Sequence, residues 1–149
     1  ARSHMAYAAL LSGIVLANAG LGVVHGFAGP IGGFFPMPHG VVCGTLVGAA
    51  TRINIEDLRE DEAKNHLALG KYARAGEVLS GQTATTTEGG CELLMQTLER
   101  WIAATGIARL SVYGVTPADF SRILDKSNNK NSPIALGRIR MQAILEARL

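Results

Sequence analysis

Two histidines, His25 and His39, stand in the part of the chain whose residue types are best suited to chemistry, the stretch from Gly20 to Gly40. Nearly all other residues in this stretch are apolar or glycine, and a buried imidazole without a partner costs roughly 1–3 kcal/mol. A turn rich in glycine and proline separates the two histidines, so they could converge on one metal ion. We find no nearby Asp, Glu or Cys that completes a set of three or four ligands, and two packed core histidines are therefore the alternative.

The composition limits the class of protein. The chain has 149 residues, 48% of them apolar and 17% charged, which is typical of one globular domain with a real core. A net charge of +2 is too small to favour binding to nucleic acid. The two cysteines, Cys43 and Cys91, indicate no disulfide framework, so a reducing cytoplasm is the expected compartment. On an apolar helix face, Cys43 is predicted to be an inert small apolar residue.

The first residues, Ala1–Met5, are similar to the remnant of a cleaved affinity tag, so we take residues 6–149 as the domain. The natural protein is then expected to begin before Ala6. Residues 5–51 contain no Asp, Glu, Lys or Arg, and Ala6–Val24 approaches the roughly 20 residues of a membrane span. Alanine and glycine dominate there and flanking basic anchors are missing, which favours buried helices of a soluble bundle over a membrane segment.

Helical periodicity predicts an all-α fold, because no segment alternates with a period of two. Thr116-Pro117-Ala118-Asp119 has the capping hydroxyl, proline and acid of a helix start, and Thr85 and Glu88 have the spacing of a capping box. The predicted helices cover residues 6–18, 21–29, 39–53, 56–79, 91–105 and 137–149, and one more begins at Thr116. The first is predicted to be buried and the second to end near Pro30, and Gly70 is a possible division of the fourth.

Three further groups of residues have less functional weight. His66 stands in a polar context and is predicted to lie at the surface. Arg138, Arg140 and Arg148 are predicted to form a solvated basic face on the last helix. The apolar residues of that helix are predicted to face the core, namely Ile139, Met141, Ile144 and Leu145.

The string N-A-G-L-G-V-V-H-G-F-A-G-P-I-G-G-F-F-P-M-P-H-G, Asn18–Gly40, resembles the signature of the iron-containing alcohol dehydrogenase family. The family pattern is N-x-G-x-x-x-x-H-x-x-x-H-P-x-G…P-H-G at matching spacing, and weaker similarity extends to the terminal helix. The resemblance implies the C-terminal, all-helical metal-binding domain of the dehydroquinate synthase-like superfamily. It also implies that an N-terminal nucleotide-binding α/β domain is absent from this chain.

The resemblance further implies a site and a reaction. Family members hold a divalent metal, usually Fe2+ and sometimes Zn2+, with one aspartate and three histidines, two of which fall on His25 and His39. The aspartate and the third histidine lie upstream, and NAD(P) is bound mainly by the absent domain. The metal would act as a Lewis acid on a small alcohol or aldehyde beside the nicotinamide. No residue of this chain is assigned a further catalytic role.

One position departs from the family pattern. Many members have a histidine four residues after the first ligand, often assigned to proton transfer, where this chain has Gly29. A glycine cannot relay protons, and its small size would leave space for a bulkier substrate. We expect Phe27, Gly29, Phe34 and Phe35 to line a substrate pocket, the alternative being that the phenylalanines serve core or loop packing.

The main hypothesis is therefore the C-terminal domain of a metal-dependent, NAD(P)-linked alcohol dehydrogenase. The isolated domain is expected to be inactive and, because its cleft and charge-free helices are uncovered, to form homo-oligomers. A second hypothesis is a non-catalytic helical scaffold or interaction domain in which the histidines are packed. A third is a relative such as a glycerol dehydrogenase or a dehydroquinate synthase.

Overall fold

The computed structural model describes all 149 residues and contains helices but no strand, which confirms the predicted all-α class. The α-helices are α1 (Arg2–Ala19), α2 (Val23–Phe34), α3 (His39–Arg59), α4 (Glu62–Ser80), α5 (Thr87–Thr105), α6 (Phe120–Lys126) and α7 (Arg138–Glu146). Two 3₁₀ turns, Leu110–Tyr113 and Pro117–Asp119, connect α5 to α6.

The larger of two apolar clusters lies beneath α2 and the first half of α3. Its centre consists of side chains that are fully enclosed, which fixes both helices against α6 and α7. Burial of a large aliphatic or aromatic side chain contributes about 1.5–3 kcal/mol. These enclosed side chains are Phe27, Ile31, Val42, Leu46, Leu110, Ile123, Ile144 and Leu145.

The smaller cluster lies where the pair α4–α5, which we call the hairpin, packs on Ile55 and Leu58 of α3. Its two helices approach so closely that a Cβ on Gly76 would stand only 2.0 Å from the carbonyl oxygen of Gly90. A Cβ on Gly90 would in turn meet Ala73 at 2.6 Å. The Asp61 side chain begins α4 by accepting a hydrogen bond from the Lys64 N–H. The hairpin is thus closed by direct backbone contact.

Helix α1 differs from its predicted burial. All of its residues are exposed, including large apolar ones such as Leu10, Ile14 and Val15. The prediction was wrong because an apolar composition favours burial but does not show that another helix is there to pack against. No helix of this chain covers α1. No single helix is long and apolar enough to span a membrane; α1 and α2 meet the length and composition criteria only as a pair bent by 98°.

Several helix boundaries also differ from the prediction. Helix α2 continues through Pro30 to Phe34, although an internal proline removes one hydrogen bond and costs about 3 kcal/mol. The next residue, Ile31, is fully buried, so packing offsets the penalty. Helix α4 is not divided at Gly70, and α5 begins with Thr86, not Thr85, as the capping residue. The predicted cap at Thr116 is confirmed as a reciprocal capping box with Asp119.

Of the C-terminal arginines, Arg138 is exposed as predicted, but Arg140 and Arg148 are not part of a solvated face. Arg140 bonds Asp57 at 2.5 Å and Glu56 at 2.6 Å and so joins α7 to α3. Arg148 donates to Thr45 Oγ1 at 2.9 Å. The prediction was wrong because these partners lie far away in sequence. Ile139, predicted to face the core, is 83% exposed, whereas the predicted burial of the other three apolar residues of α7 is confirmed.

Candidate metal centre

His25 and His39 lie at adjacent helix starts. His25 is the third residue of α2 and His39 the first residue of α3, and their ring centroids are 5.4 Å apart with the planes tilted by 48°. Both side chains are exposed, so the expectation of buried imidazoles was wrong. Helical periodicity explains it, because the apolar neighbours Val23 and Phe27 turn toward the core and leave His25 on the outer face.

The short loop between the two helices fixes this arrangement. Met37 is 4% exposed and anchors the loop in the main cluster. The Phe35 N–H donates to the Ile31 carbonyl at 2.9 Å and closes α2. The Pro38 carbonyl accepts from the N–H of Val42 at 3.1 Å, which starts α3 at His39. The loop therefore returns the chain by one tight, anchored turn and sets one imidazole beside the other.

Cys43 joins the pair, and sequence reasoning missed it. Its Sγ lies 3.5 Å from Nε2 of His39, and donor atoms of His25, His39 and Cys43 all lie within 4.8 Å of one another. The missed signal is the i, i+4 spacing of His39 and Cys43, which places both on one helix face. Burial raises the pKa of the Cys43 thiol, so the metal-free thiol is protonated at neutral pH. We call these three residues the histidine corner.

The donor types of the histidine corner suit a transition metal. Imidazole nitrogen suits iron and zinc, and thiolate sulfur is a softer donor that zinc also accepts. The group contains no carboxylate, so it lacks the hard oxygen donors that calcium and magnesium require. The residues present therefore fit a divalent transition metal, with coordination positions left for donors from outside this chain.

A cavity of about 320 Å³ adjoins the histidine corner, and His25 and Cys43 are part of its wall. Asn54 and Tyr72 also line it. The Asn54 side chain is 5% exposed, and its Oδ1 has no hydrogen-bond partner in the protein. Burial raises the pKa of Tyr72 to about 12, with a smaller contribution from Cys91, so its hydroxyl stays protonated. The cavity thus combines apolar walls with an acceptor and a neutral hydroxyl.

The four residues predicted to line a substrate pocket lie outside the cavity beside His25 and Cys43. Phe27 is fully enclosed in the main cluster, whereas Phe34 is 40% exposed and Phe35 half-buried. Gly29 is exposed, and a Cβ there would meet no atom within 4 Å. None of the four lines the cavity beside His25. The guanidinium of Arg122 stands 4.8 Å above the Phe34 ring and 5.1 Å above the Phe35 ring.

His66 is exposed on α4, as predicted, and its Nδ1 lies 2.9 Å from the Ala63 carbonyl oxygen. The three-donor group at the histidine corner does not include it. His66 therefore provides a natural reference histidine for experiments on metal binding.

Comparison with known proteins shows which family this chain belongs to. The model of the C-terminal part of the Fe-containing alcohol dehydrogenase family matches residues 1–149. The 1,3-propanediol dehydrogenase of Citrobacter freundii is 36% identical over 122 residues, 80% of this chain and 29% of that protein. The bifunctional aldehyde-alcohol dehydrogenase of Escherichia coli is 32% identical over 133 residues, 85% of this chain and 15% of that protein.

A solved structure gives the same result for the fold. The crystal structure of a 1,3-propanediol oxidoreductase superposes with a TM-score of 0.82 at 30% identity, covering 99% of this chain and 38% of that one. The chain thus spans well under half the length of the relatives it matches. It belongs to the iron-containing alcohol dehydrogenase family and corresponds to the C-terminal, helical part of its members.

Proposed function

We propose that this chain is the metal-holding part of an NAD(P)-linked alcohol dehydrogenase, with His25 and His39 as two of the metal ligands. The observation that carries the proposal is the juxtaposition of two exposed imidazoles, 5.4 Å between centroids, that are 14 positions apart in sequence. Because both imidazoles are exposed, water can satisfy their nitrogens, and packing gives no reason for the two rings to converge. Their convergence therefore favours a role as metal ligands. Membership of a metal-dependent dehydrogenase family supports the same role.

The metal, Fe2+ or alternatively Zn2+, would supply Lewis-acid polarisation of the oxygen of a small alcohol or aldehyde. The contribution of this chain is positional. The anchored loop at Met37 holds the two imidazoles in register, and the enclosed core beneath α2 and α3 prevents them from separating. The remaining ligands and most of the NAD(P) site would come from an upstream domain, so the isolated chain would be inactive.

The substrate region would lie where α2 faces outward. Gly29 and Phe34 are exposed on this helix and Phe35 follows it, so these residues remain available to contact a small alcohol. Phe27 would support them only from within the core. We further propose a cytoplasmic enzyme that forms homo-oligomers and binds neither nucleic acid nor membrane.

The scaffold alternative is less well supported. It requires histidines that are packed as structural residues, and both side chains are exposed instead. A scaffold of this fold would also tolerate loss of either imidazole without consequence.

Metal binding by this chain tests the ligand assignment. We expect micromolar binding of Zn2+ or, under anaerobic conditions, Fe2+, measured by calorimetry. His39→Ala should weaken it by tenfold or more, about 1.4 kcal/mol. His66→Ala is the matched control, because that histidine is exposed but outside the histidine corner, and it should leave the affinity unchanged. Equal binding by both variants would contradict the assignment.

The reading frame upstream of the codon for Ala6 tests the enzyme assignment. We expect it to encode an α/β domain with a glycine-rich phosphate loop and a helix with an aspartate and a histidine four residues apart. The longer product should then reduce NAD(P)+ with 1,3-propanediol or another small alcohol, and His39→Ala should abolish that activity. A longer product without metal-dependent alcohol oxidation would overturn the proposal.

A further inference from the structure

The histidine corner contains a third donor, the thiol of Cys43, to which the proposed assignment of two histidine ligands gives no role. Cys43 lies one helical turn after His39, and its Sγ is 3.5 Å from the Nε2 of that residue. The other cysteine of the chain, Cys91, is 1% exposed inside the hairpin, where its Sγ lies 3.6 Å from the Leu69 carbonyl oxygen. Both thiols adjoin a cavity, but Cys91 is buried and only Cys43 is grouped with two imidazoles.

The separation of the donors matches coordination. Zinc–nitrogen bonds of about 2.05 Å and zinc–sulfur bonds of about 2.3 Å place two tetrahedral donors about 3.6 Å apart. The observed 3.5 Å between Nε2 of His39 and Sγ of Cys43 already has this length. One donor atom from each of the three residues lies within 4.8 Å of the other two, and the His25 side chain is exposed.

The helix supplies the preorganisation. Two metal ligands at positions i and i+4 on one helix face form a recurrent zinc-binding arrangement. His39 and Cys43 have this spacing at the start of α3, where Val42 and Leu46 are fully buried and fix the rotation of the helix. The donor pair is therefore held by the core, and only His25 has to adjust.

We propose that Cys43 is a metal ligand, so that this chain by itself forms a three-donor site of two imidazoles and one thiolate. The inference rests on the proposed metal-binding role of His25 and His39. A thiolate makes the site softer than one built from histidines and carboxylates, and it favours Zn2+ and Co2+ over Mn2+ and Mg2+. The remaining coordination positions are left for the donors expected from the upstream domain and for water or substrate.

Cobalt substitution tests the proposal without any measurement of activity. Co2+ added to this chain should produce a sulfur-to-cobalt charge-transfer band in the near ultraviolet, together with the visible bands of tetrahedral cobalt. Cys43→Ser should lose the charge-transfer band and bind Co2+ and Zn2+ at least tenfold more weakly, because loss of a direct ligand should cost no less than the roughly 10–100-fold that outer-shell partners contribute. Cys91→Ser is the matched control and should retain both the band and the affinity.

The outcomes separate this inference from the proposed function. Cobalt binding that His39→Ala abolishes, but that shows no charge-transfer band, would leave the two-histidine site intact and overturn the role of Cys43. A band that disappears in Cys91→Ser would also overturn it. Absence of cobalt binding would overturn both proposals. If Cys43→Ser does not fold, a band retained in Cys91→Ser still assigns the sulfur to Cys43, because no other thiol remains.

Discussion

The pair α2–α3, which contains the histidine corner, and the hairpin each consist of two helices joined by a short connection, and both contain glycines and one free cysteine. In the hairpin, Gly76 and Gly90 allow the two backbones to touch, whereas Gly70 on the same helix faces open space. In the histidine corner, Gly29 and Gly40 face open space, because a Cβ added at either position would meet no atom within 4 Å. The contrast holds between individual positions and not between whole regions, because a Cβ on Gly26, next to His25, would clash with the Asn128 carbonyl oxygen.

The two regions also differ in the donor atoms that meet beside their free volume. Cys91 in the hairpin contacts the Leu69 carbonyl oxygen and adjoins a cavity of about 300 Å³, whereas Cys43 lies beside an imidazole nitrogen in a group of three donor residues. A folded domain gains stability wherever it fills space, so unfilled space beside convergent donor atoms indicates a site. Substitutions at packed and open glycines should accordingly have opposite effects.

The largest effect is expected for Gly76→Ala in the hairpin. The added Cβ would meet the carbonyl oxygen of Gly90 at 2.0 Å and the Leu94 nitrogen at 2.7 Å, and backbone atoms cannot rotate away. We expect the free energy of unfolding to fall by about 3 kcal/mol, the upper part of the overpacking range. Urea unfolding followed by circular dichroism measures it.

Gly70→Ala is the control on the same helix. A Cβ at Gly70 meets nothing within 4 Å, so the better helix propensity of alanine should stabilise the chain by about 0.5–1 kcal/mol. Changes of the same sign at both positions would show that the hairpin is not closed by backbone contact.

The next effect concerns α1, which is apolar but buries none of its residues against the rest of the chain. Large exposed apolar surface promotes association, so we expect the intact chain to sediment as dimers or larger species. Deletion of residues 1–19 removes no buried residue and should give a monomer. Ile139→Ser, which changes one exposed apolar residue on α7, should leave the association unchanged. A monomeric profile for the intact chain would contradict the prediction.

A smaller effect is expected at the open glycine of the corner. Gly29→His in the longer enzyme adds an imidazole one turn after His25, where the structure has free space. If this space admits bulky substrates, the ratio of kcat/KM for a small over a large alcohol should rise about tenfold, as for one steric contact in a pocket. Gly70→His, in open space on α4, is the control. An unchanged preference would show that Gly29 does not set substrate size.

Features decided by neighbouring residues were predictable from the sequence, and those decided by distant partners were not. The helix start at Thr116–Asp119 depends on four consecutive residues and was predicted, although the hydrogen bond from the Thr116 N–H to the Asp119 carboxylate was not. The ion pairs of Arg140 join positions 83 and 84 residues apart, which no local pattern reveals. The helix through Pro30 persists only because Ile31 is buried, a fact of tertiary packing.

The candidate site divides in the same way. The family motif predicted that His25 and His39 converge, and the structure places them side by side. Cys43 was missed although its spacing to His39 can be seen in the sequence, because its apolar surroundings favoured a packing role. Its proximity to His39 Nε2 depends on side-chain directions that only the folded helix defines.

The smallest expected effect concerns how the stability of the fold decreases at acid pH, through Asp119 near the end of α2 and Glu77 in the hairpin. The Asp119 carboxylate accepts hydrogen bonds from the Thr116 hydroxyl at 2.7 Å and from the Thr116 N–H at 2.8 Å, which, with Arg122 at 2.6 Å, lower its pKa. In the hairpin, the Ala84 N–H and the Arg74 guanidinium lower the pKa of Glu77. Ionised, each group stabilises the fold above its unfolded pKa of roughly 4, and this stabilisation is lost as the pH falls through the lower folded pKa.

Asp119→Asn and Glu77→Gln should therefore each flatten the decline in stability between about pH 5 and pH 2, as measured by thermal unfolding. Only Asp119→Asn should also act on the corner, because Asp119 holds Arg122 over the rings of Phe34 and Phe35. Faster hydrogen exchange at the Phe35 amide, which closes α2, is expected in that variant and not in Glu77→Gln. Equal exchange in both variants would mean that the end of α2 is held by Ile31 and Met37 alone, and that the histidine corner takes no support from Arg122.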